Sequence, residues 1–163
     1  MNPNIVLCVD DDSTVLSALR IVLSKVLGSD VIVEIAAGGL EALTLCAELE
    51  AEGREVSVVI SDFIMPLMRG DELLVRIHEL YPHAVKIMLT GQSDLEGVKR
   101  AINEANLYRF LEKPFNNADL VLTVRSALRA YTTTKTQIEK IATLEARISE
   151  LEGKLATSAI TAV

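Results

Sequence analysis

Residues 5–23 read IVLCVDDDSTVLSALRIVL. Five apolar residues run straight into three aspartates. Beyond them Val15, Leu16, Leu19, Val22, Leu23 and Val26 recur at helical spacing. A near-continuous apolar run of this length suits a strand covered on both faces, as in a parallel sheet. Outward from this stretch the same alternation repeats. Short, largely β-branched runs fall at Ile5–Val9, Val31–Ala36, Val56–Ile60, Val85–Leu89 and Leu107–Leu111. Between them Leu40, Leu43 and Cys46 mark one helix face, Leu73, Leu74, Ile77 and Leu80 a second, and Leu95, Val98 and Ile102 a third. Five β-α units predict an α/β fold with a doubly wound, five-stranded parallel sheet. Ser13, Asp94 and Asn117 are the expected helix N-caps.

Composition narrows the class. Of 163 residues, 50% are apolar and 24% charged, which excludes a disordered, collagen-like or disulfide-dense chain. No apolar run approaches the roughly 18 residues of a membrane helix. The opening MNPNIVLCVDDD does not read as a secretory signal, because its apolar run passes directly into acids. Cys8 and Cys46 sit in apolar stretches and are expected to be buried, reduced thiols. The expected setting is the cytoplasm, without membrane contact. Residues 132–163 hold four basic and four acidic residues, so the net charge of −7 resides in residues 1–131. An acidic folded part argues against nucleic-acid binding, which needs a basic face.

From Asn117 onward no proline interrupts the last helical segment. The expected organisation is a domain over 1–131, a coiled-coil helix over 132–155 continuing helix five, and a frayed tail over 156–163. With Ile141 at heptad position a, Leu144 is d, Ile148 a, Leu151 d and Leu155 a. Ile at a with Leu at d favours a parallel two-stranded coil. Lys140 would then face Glu145 across the pair, and Arg147 would face Glu152, which sets orientation more than strength. The upstream register differs by a three-residue step. Beside it lies Thr132-Thr133-Thr134, a β-branched run expected to act as a joint.

Ligands of open α/β sheets bind beyond the carboxyl ends of the strands. There this sequence places Asp10-Asp11-Asp12, Ser61-Asp62, Thr90-Gly91 and Lys113-Pro114. Clustered carboxylates repel unless a cation sits among them. A hard divalent ion with oxygen ligands fits, and Mg²⁺ commonly bridges carboxylates to phosphate; Mn²⁺ is the alternative ion. One lysine and one hydroxyl suit the remaining oxygens of a phosphoryl group. A carboxylate can itself be the nucleophile. The chemistry therefore points to Mg²⁺-dependent phosphoryl transfer to an aspartate. Singly, each residue reads as a cap, a turn residue or a surface charge; the conjunction carries the inference.

VDD at 9–11, SDFIMP at 61–66 with Gly70, LTG at 89–91 and KPF at 113–115 resemble the motifs of a response-regulator receiver domain. The resemblance runs over residues 4–131. It implies a CheY-like, flavodoxin-type strand order 2-1-3-4-5 and phosphorylation of Asp62 by a histidine kinase or phosphotransfer protein. Asp10, Asp11, Asp62 and the backbone carbonyl of Ile64 would hold the metal. Thr90 and Lys113 would bind the phosphoryl group, Thr90 and Phe110 would form the switch pair, and Lys113–Pro114 would be cis. The domain would not be an enzyme beyond catalysing its own phosphorylation and dephosphorylation. Ile64 is apolar and is not expected to orient a hydrolytic water, which implies a long-lived acyl phosphate. His78 and His83 are expected on the surface, away from the site. The stretch ANLYRFLEKPF also resembles receivers that precede cyclic-nucleotide or cyclic-dinucleotide enzymes or histidine kinases.

Two alternatives remain at this level. Asp10-x-Asp12-x-Thr14 also resembles the first motif of haloacid-dehalogenase phosphatases, with Asp10 as nucleophile and Asp12 as acid/base. That reading leaves Asp62 without a role. The other is a dimeric docking adaptor that is never phosphorylated. In either receiver reading the tail forms a parallel homodimer that controls an output domain or partner.

Overall fold

The computed structural model describes residues 2–91 and 94–161. Five strands, β1 (Asn4–Val9), β2 (Val31–Ala36), β3 (Val58–Asp62), β4 (Val85–Thr90) and β5 (Arg109–Glu112), form one parallel sheet in the order β2-β1-β3-β4-β5. Helices α1 (Ser13–Leu27), α2 (Gly39–Ala51), α3 (Gly70–Leu80), α4 (Leu95–Ala105) and α5 (Asn117–Thr161) follow the strands in turn.

The period-2 alternation of the central strand divides the core. Ile5, Leu7 and Val9 face a cluster with α2, α3 and α4, while Val6 and Cys8 face α1 and the first turns of α5. Burying each such side chain stabilises the fold by about 1.5–3 kcal/mol. The strand order reverses between β1 and β3, so their carboxyl ends flank a crevice. Burial pushes the Cys8 thiol up to about 12 and that of Cys46 to about 11, so both are poor nucleophiles.

The helix faces differ from the pattern in the sequence. Leu40, Leu95 and Ile102 are more than half exposed. The buried face of α2 is Gly39, Ala42, Cys46 and Leu49, and that of α4 is Gly97, Val98, Ala101 and Ala105. In both, small residues permit close approach, so the largest side chains do not mark the inner face. The caps also shift. Asp12, not Ser13, caps α1 by accepting the Thr14 amide at 2.9 Å, and Asn116 accepts the Asp119 amide at 2.7 Å ahead of α5. Asp94 is in the cap position of α4, but its carboxylate accepts the Gly91 amide instead.

The chain divides into two compact units, Met1–Tyr131 and Thr132–Val163. The second is helical through Thr161, beyond the end expected at Leu155. Hydroxyls of Thr157 and Thr161 donate back to the carbonyls of Gly153 and Thr157. Residues 162 and 163 of the expected tail lie outside the described residues.

His78 is not an isolated surface residue. Lys86, 1% exposed within β4, donates from Nζ to His78 Nδ1 at 2.8 Å and to the Pro82 carbonyl at 3.2 Å. Burial pulls the Lys86 ammonium down to about 8. Burial and then the Lys86 charge hold His78 below its usual 6.5, against a weaker pull from Glu79. A His78 proton is thus taken up more readily by the unfolded chain. Stability falls as pH drops below about 6.5 and has lost this contribution once the pH passes the lowered folded value. His78→Asn keeps an acceptor for Lys86 without titrating. Urea midpoints at about pH 7.5 and about pH 5.5 should differ less in this variant than in the wild type.

Candidate functional site

The acids and the lysine meet where β1 and β3 end. Asp10 follows β1 and is 1% exposed; Asp62 closes β3 and Asp11 lies on the rim. Ligand oxygens of Asp10, Asp11 and Asp62 lie within 4.8 Å of one another. Lys113 Nζ lies 2.9 Å from Asp62 Oδ1 and 3.4 Å from Asp10 Oδ2. The Asp12 amide donates to Asp10 Oδ1 at 2.9 Å. One ammonium among three carboxylates leaves a net negative cluster, which favours a further cation.

Each residue is placed by local backbone. The Lys113 amide donates to the Thr90 carbonyl at 2.8 Å, tying the β5 exit to the end of β4. The Lys113–Pro114 bond is cis, as the resemblance implied. Thr90 is buried beside the crevice, one residue past the Asp62–Leu89 register pair. The Asp62 loop is gripped from two sides: the Phe63 amide donates to the Leu89 carbonyl at 3.0 Å, and the Phe63 carbonyl accepts the Gly70 amide at 2.8 Å. Gly70 is required by clearance, because an added Cβ would stand 2.0 Å from the Asp62 carbonyl oxygen. Ile64 follows in the turn with its side chain 66% exposed.

Burial raises the Asp10 carboxyl, and the Asp62 charge adds to this; the Asp12 amide and Lys113 oppose it. Burial alone would lower the Lys113 ammonium, but the hydrogen bond and charge of Asp62, with Asp10 behind them, leave it raised. Lys113 therefore stays protonated and able to neutralise an anion at Asp62.

The structure separates Phe110 from this cluster. It lies on β5 opposite Met88 and is 44% exposed. The phosphatase alternative gives no role to Asp62, whose Oδ1 lies 2.9 Å from the Lys113 ammonium. Asp10 is 1% exposed and so is less accessible to a phosphoryl donor than Asp62.

Two features are absent from the sequence reading. Arg100 pairs with Glu104 at 2.9 Å and lies 3.6 Å from the fully buried Asp71. Arg69 also grips Asp71. A basic residue two before an acid at a helix start was the available signal. Lys86 had its own signal, a charge inside the apolar run VKIMLT.

The family model that matches residues 6–125 describes the response regulator receiver domain. The hydrogenase transcriptional regulatory protein HoxA of Bradyrhizobium diazoefficiens is 32% identical over 126 residues, which cover 77% of this chain and 24% of HoxA. The chain thus spans about a quarter of the length of that relative. Among solved structures, the signal receiver domain of an HD domain-containing protein from Pseudomonas fluorescens superposes with a TM-score of 0.73 at 34% identity, covering 83% of this chain and 94% of that one. A structure described as adenylate cyclase from Rhodopirellula baltica gives 0.75 at 31% identity, covering 85% and 97%.

Proposed function

Because the chain belongs to the response regulator receiver domain family, we propose that it takes a phosphoryl group on Asp62 from a histidine kinase or phosphotransfer protein and signals through its C-terminal helix. The observation that carries this is Lys113 Nζ, 2.9 Å from Asp62, beside three carboxylates at metal-ligand spacing. Mg²⁺ held by Asp10, Asp11, Asp62 and the Ile64 carbonyl would neutralise charge as the phosphoryl group arrives. A carboxylate oxygen of Asp62 forms the new O–P bond, and the bond from phosphorus to the donor's leaving group breaks. The leaving group departs with the electron pair and takes its proton from solvent. Lys113 exchanges part of its contact with Asp62 for a phosphoryl oxygen, and the Thr90 hydroxyl donates to another. Phe110, half exposed here, is the switch partner that would turn inward with Thr90.

Phosphoramidate tests this with no kinase present. Intact mass should show one added phosphoryl group with Mg²⁺ and none when EDTA removes the metal. Uptake that is unaffected by EDTA would sink the metal assignment. A folded protein that never takes phosphate would favour the docking adaptor.

The tail supports a dimer. Ile141, Leu144, Ile148, Leu151 and Leu155 are 43–71% exposed along one chain. Most helical stability in proteins comes from packing an apolar face, and an exposed apolar stripe needs a partner. A second copy in parallel supplies one, with Lys140 facing Glu145. Arg147 now pairs with Glu150 of its own helix and would have to exchange it for Glu152. Light-scattering mass across a dilution series, with and without Mg²⁺ plus beryllium fluoride, is expected to give a dimer in both states. A monomer that pairs only with the phosphate mimic would mean the receiver controls assembly. The adenylate cyclase name of one similar structure favours an output in cyclic-nucleotide signalling.

A further inference from the structure

Asp71 is a carboxylate with 0% exposure in the first turn of α3. Arg69 clamps it through two bonds, Nε to Oδ1 at 3.2 Å and Nη2 to Oδ2 at 2.8 Å. Arg100 of α4 stands 3.6 Å from Oδ2. An ion pair that buries its carboxylate is weak evidence for stability, since the desolvation cost of that carboxylate offsets much of the attraction. Such a cluster is better explained by what it holds in place.

It holds Phe63, the residue next to Asp62. The Arg69 guanidinium lies 5.2 Å from the Phe63 ring centroid. The ring also lies so close to α4 that a Cβ added at Gly97 would stand 2.0 Å from it. The Phe63 backbone is bonded to β4 and α3. Ring and backbone together set where the Asp62 carboxylate and the Ile64 peptide point.

We infer that Arg69 and Asp71 are positioning residues for the phosphoacceptor: the pair fixes the Phe63 ring against α4 and so keeps Asp62 and the Ile64 carbonyl in place for the metal and the phosphoryl group. This rests on the reading of Asp10, Asp11 and Asp62 as the metal and phosphoryl site. Groups that orient metal ligands from behind are worth about 10–100-fold in affinity or activity. The guanidinium acts through its planar fork and its stacking, which lysine cannot reproduce.

The test is a Mg²⁺ titration followed by backbone amide resonances, with phosphoramidate uptake and melting temperature measured alongside. Arg69→Gln and Arg69→Lys are both expected to weaken Mg²⁺ about tenfold and to slow uptake, at a temperature where each variant is folded. The sign is diagnostic. Were Arg69 only a nearby positive charge, Arg69→Gln would tighten Mg²⁺ and Arg69→Lys would leave it unchanged; that result overturns the inference. A lowered melting temperature with unchanged Mg²⁺ affinity also overturns it, because the pair would then be merely structural. In a Phe63→Leu background the Arg69 substitutions should have little further effect; full additivity would remove Phe63 as the link. Should Arg69→Gln not fold, Arg69→Lys and the Phe63→Leu pair carry the same decision. A wild type that takes neither Mg²⁺ nor phosphate overturns the site reading and this inference together. A competent wild type with indistinguishable Arg69 variants overturns this inference alone.

Discussion

Asp62→Asn is expected to abolish phosphoryl uptake from phosphoramidate while leaving the fold intact. The amide oxygen is a far weaker nucleophile than a carboxylate, so no acyl phosphate forms. Asp10, which Lys113 also touches, is 1% exposed and so is less accessible to the donor. The fold should survive for two reasons. The Asp62 side chain is partly solvent-exposed, and Lys113 keeps Asp10 at 3.4 Å as a partner. The substitution also removes one of three mutually repelling acids, which offsets the lost contact to Lys113. Intact mass after incubation with phosphoramidate and Mg²⁺ is the readout. A phosphoryl group that still adds to this variant, at a rate near that of wild type, would place the acceptor elsewhere.

Gly70→Ala is expected to be nearly as damaging, although a single methyl is added far from any reacting atom in sequence. The new Cβ would stand 2.0 Å from the Asp62 carbonyl oxygen, whereas real Cβ atoms keep at least 3.0 Å from such neighbours. The obstacle is backbone, not a flexible side chain, so β3 and the start of α3 must separate by about 1 Å. Overpacking of this kind costs about 1–3 kcal/mol, a drop of several degrees in melting temperature. The functional cost is larger in proportion. Misplacing a reacting group by about 1 Å can lower a rate about 100-fold, and here the displaced backbone carries the acceptor itself. Uptake should therefore fall far more than stability. Uptake within a factor of about two of wild type would show that the loop absorbs the methyl without moving Asp62.

The two substitutions separate what was legible from what was not. The place of Asp62 could be read from the chain alone, because an acid at the end of an apolar strand sits at the edge where open sheets bind ligands, while its choice over Asp10 as acceptor came from the resemblance to receiver domains. The register of Asp10, Thr90 and Lys113 followed from the same rule. Gly70 was visible as part of a motif, but its reason, a carbonyl oxygen in the way of any Cβ, is a contact between residues that only the folded loop brings together. Leu40, Leu95 and Ile102 show the limit from the other side. Period-3.6 reasoning assigns the largest apolar residues to the core, yet α2 and α4 bury glycine and alanine because other groups occupy the space: Met68 against Gly39 and Phe63 against Gly97.

The amino-acid order by itself determined the five β-α units, the acidic edge with its single lysine, and the long proline-free helix. Each depends on local periodicity or on which residue ends a strand, and both are properties of neighbours along the chain. The tertiary structure decided which small residues line α2 and α4, that Asp12 caps a helix while Asp10 and Asp62 share Lys113, and that Asp71 is buried between two arginines. Those outcomes depend on distances between residues remote in sequence, and such distances exist only once the sheet and its helices have packed.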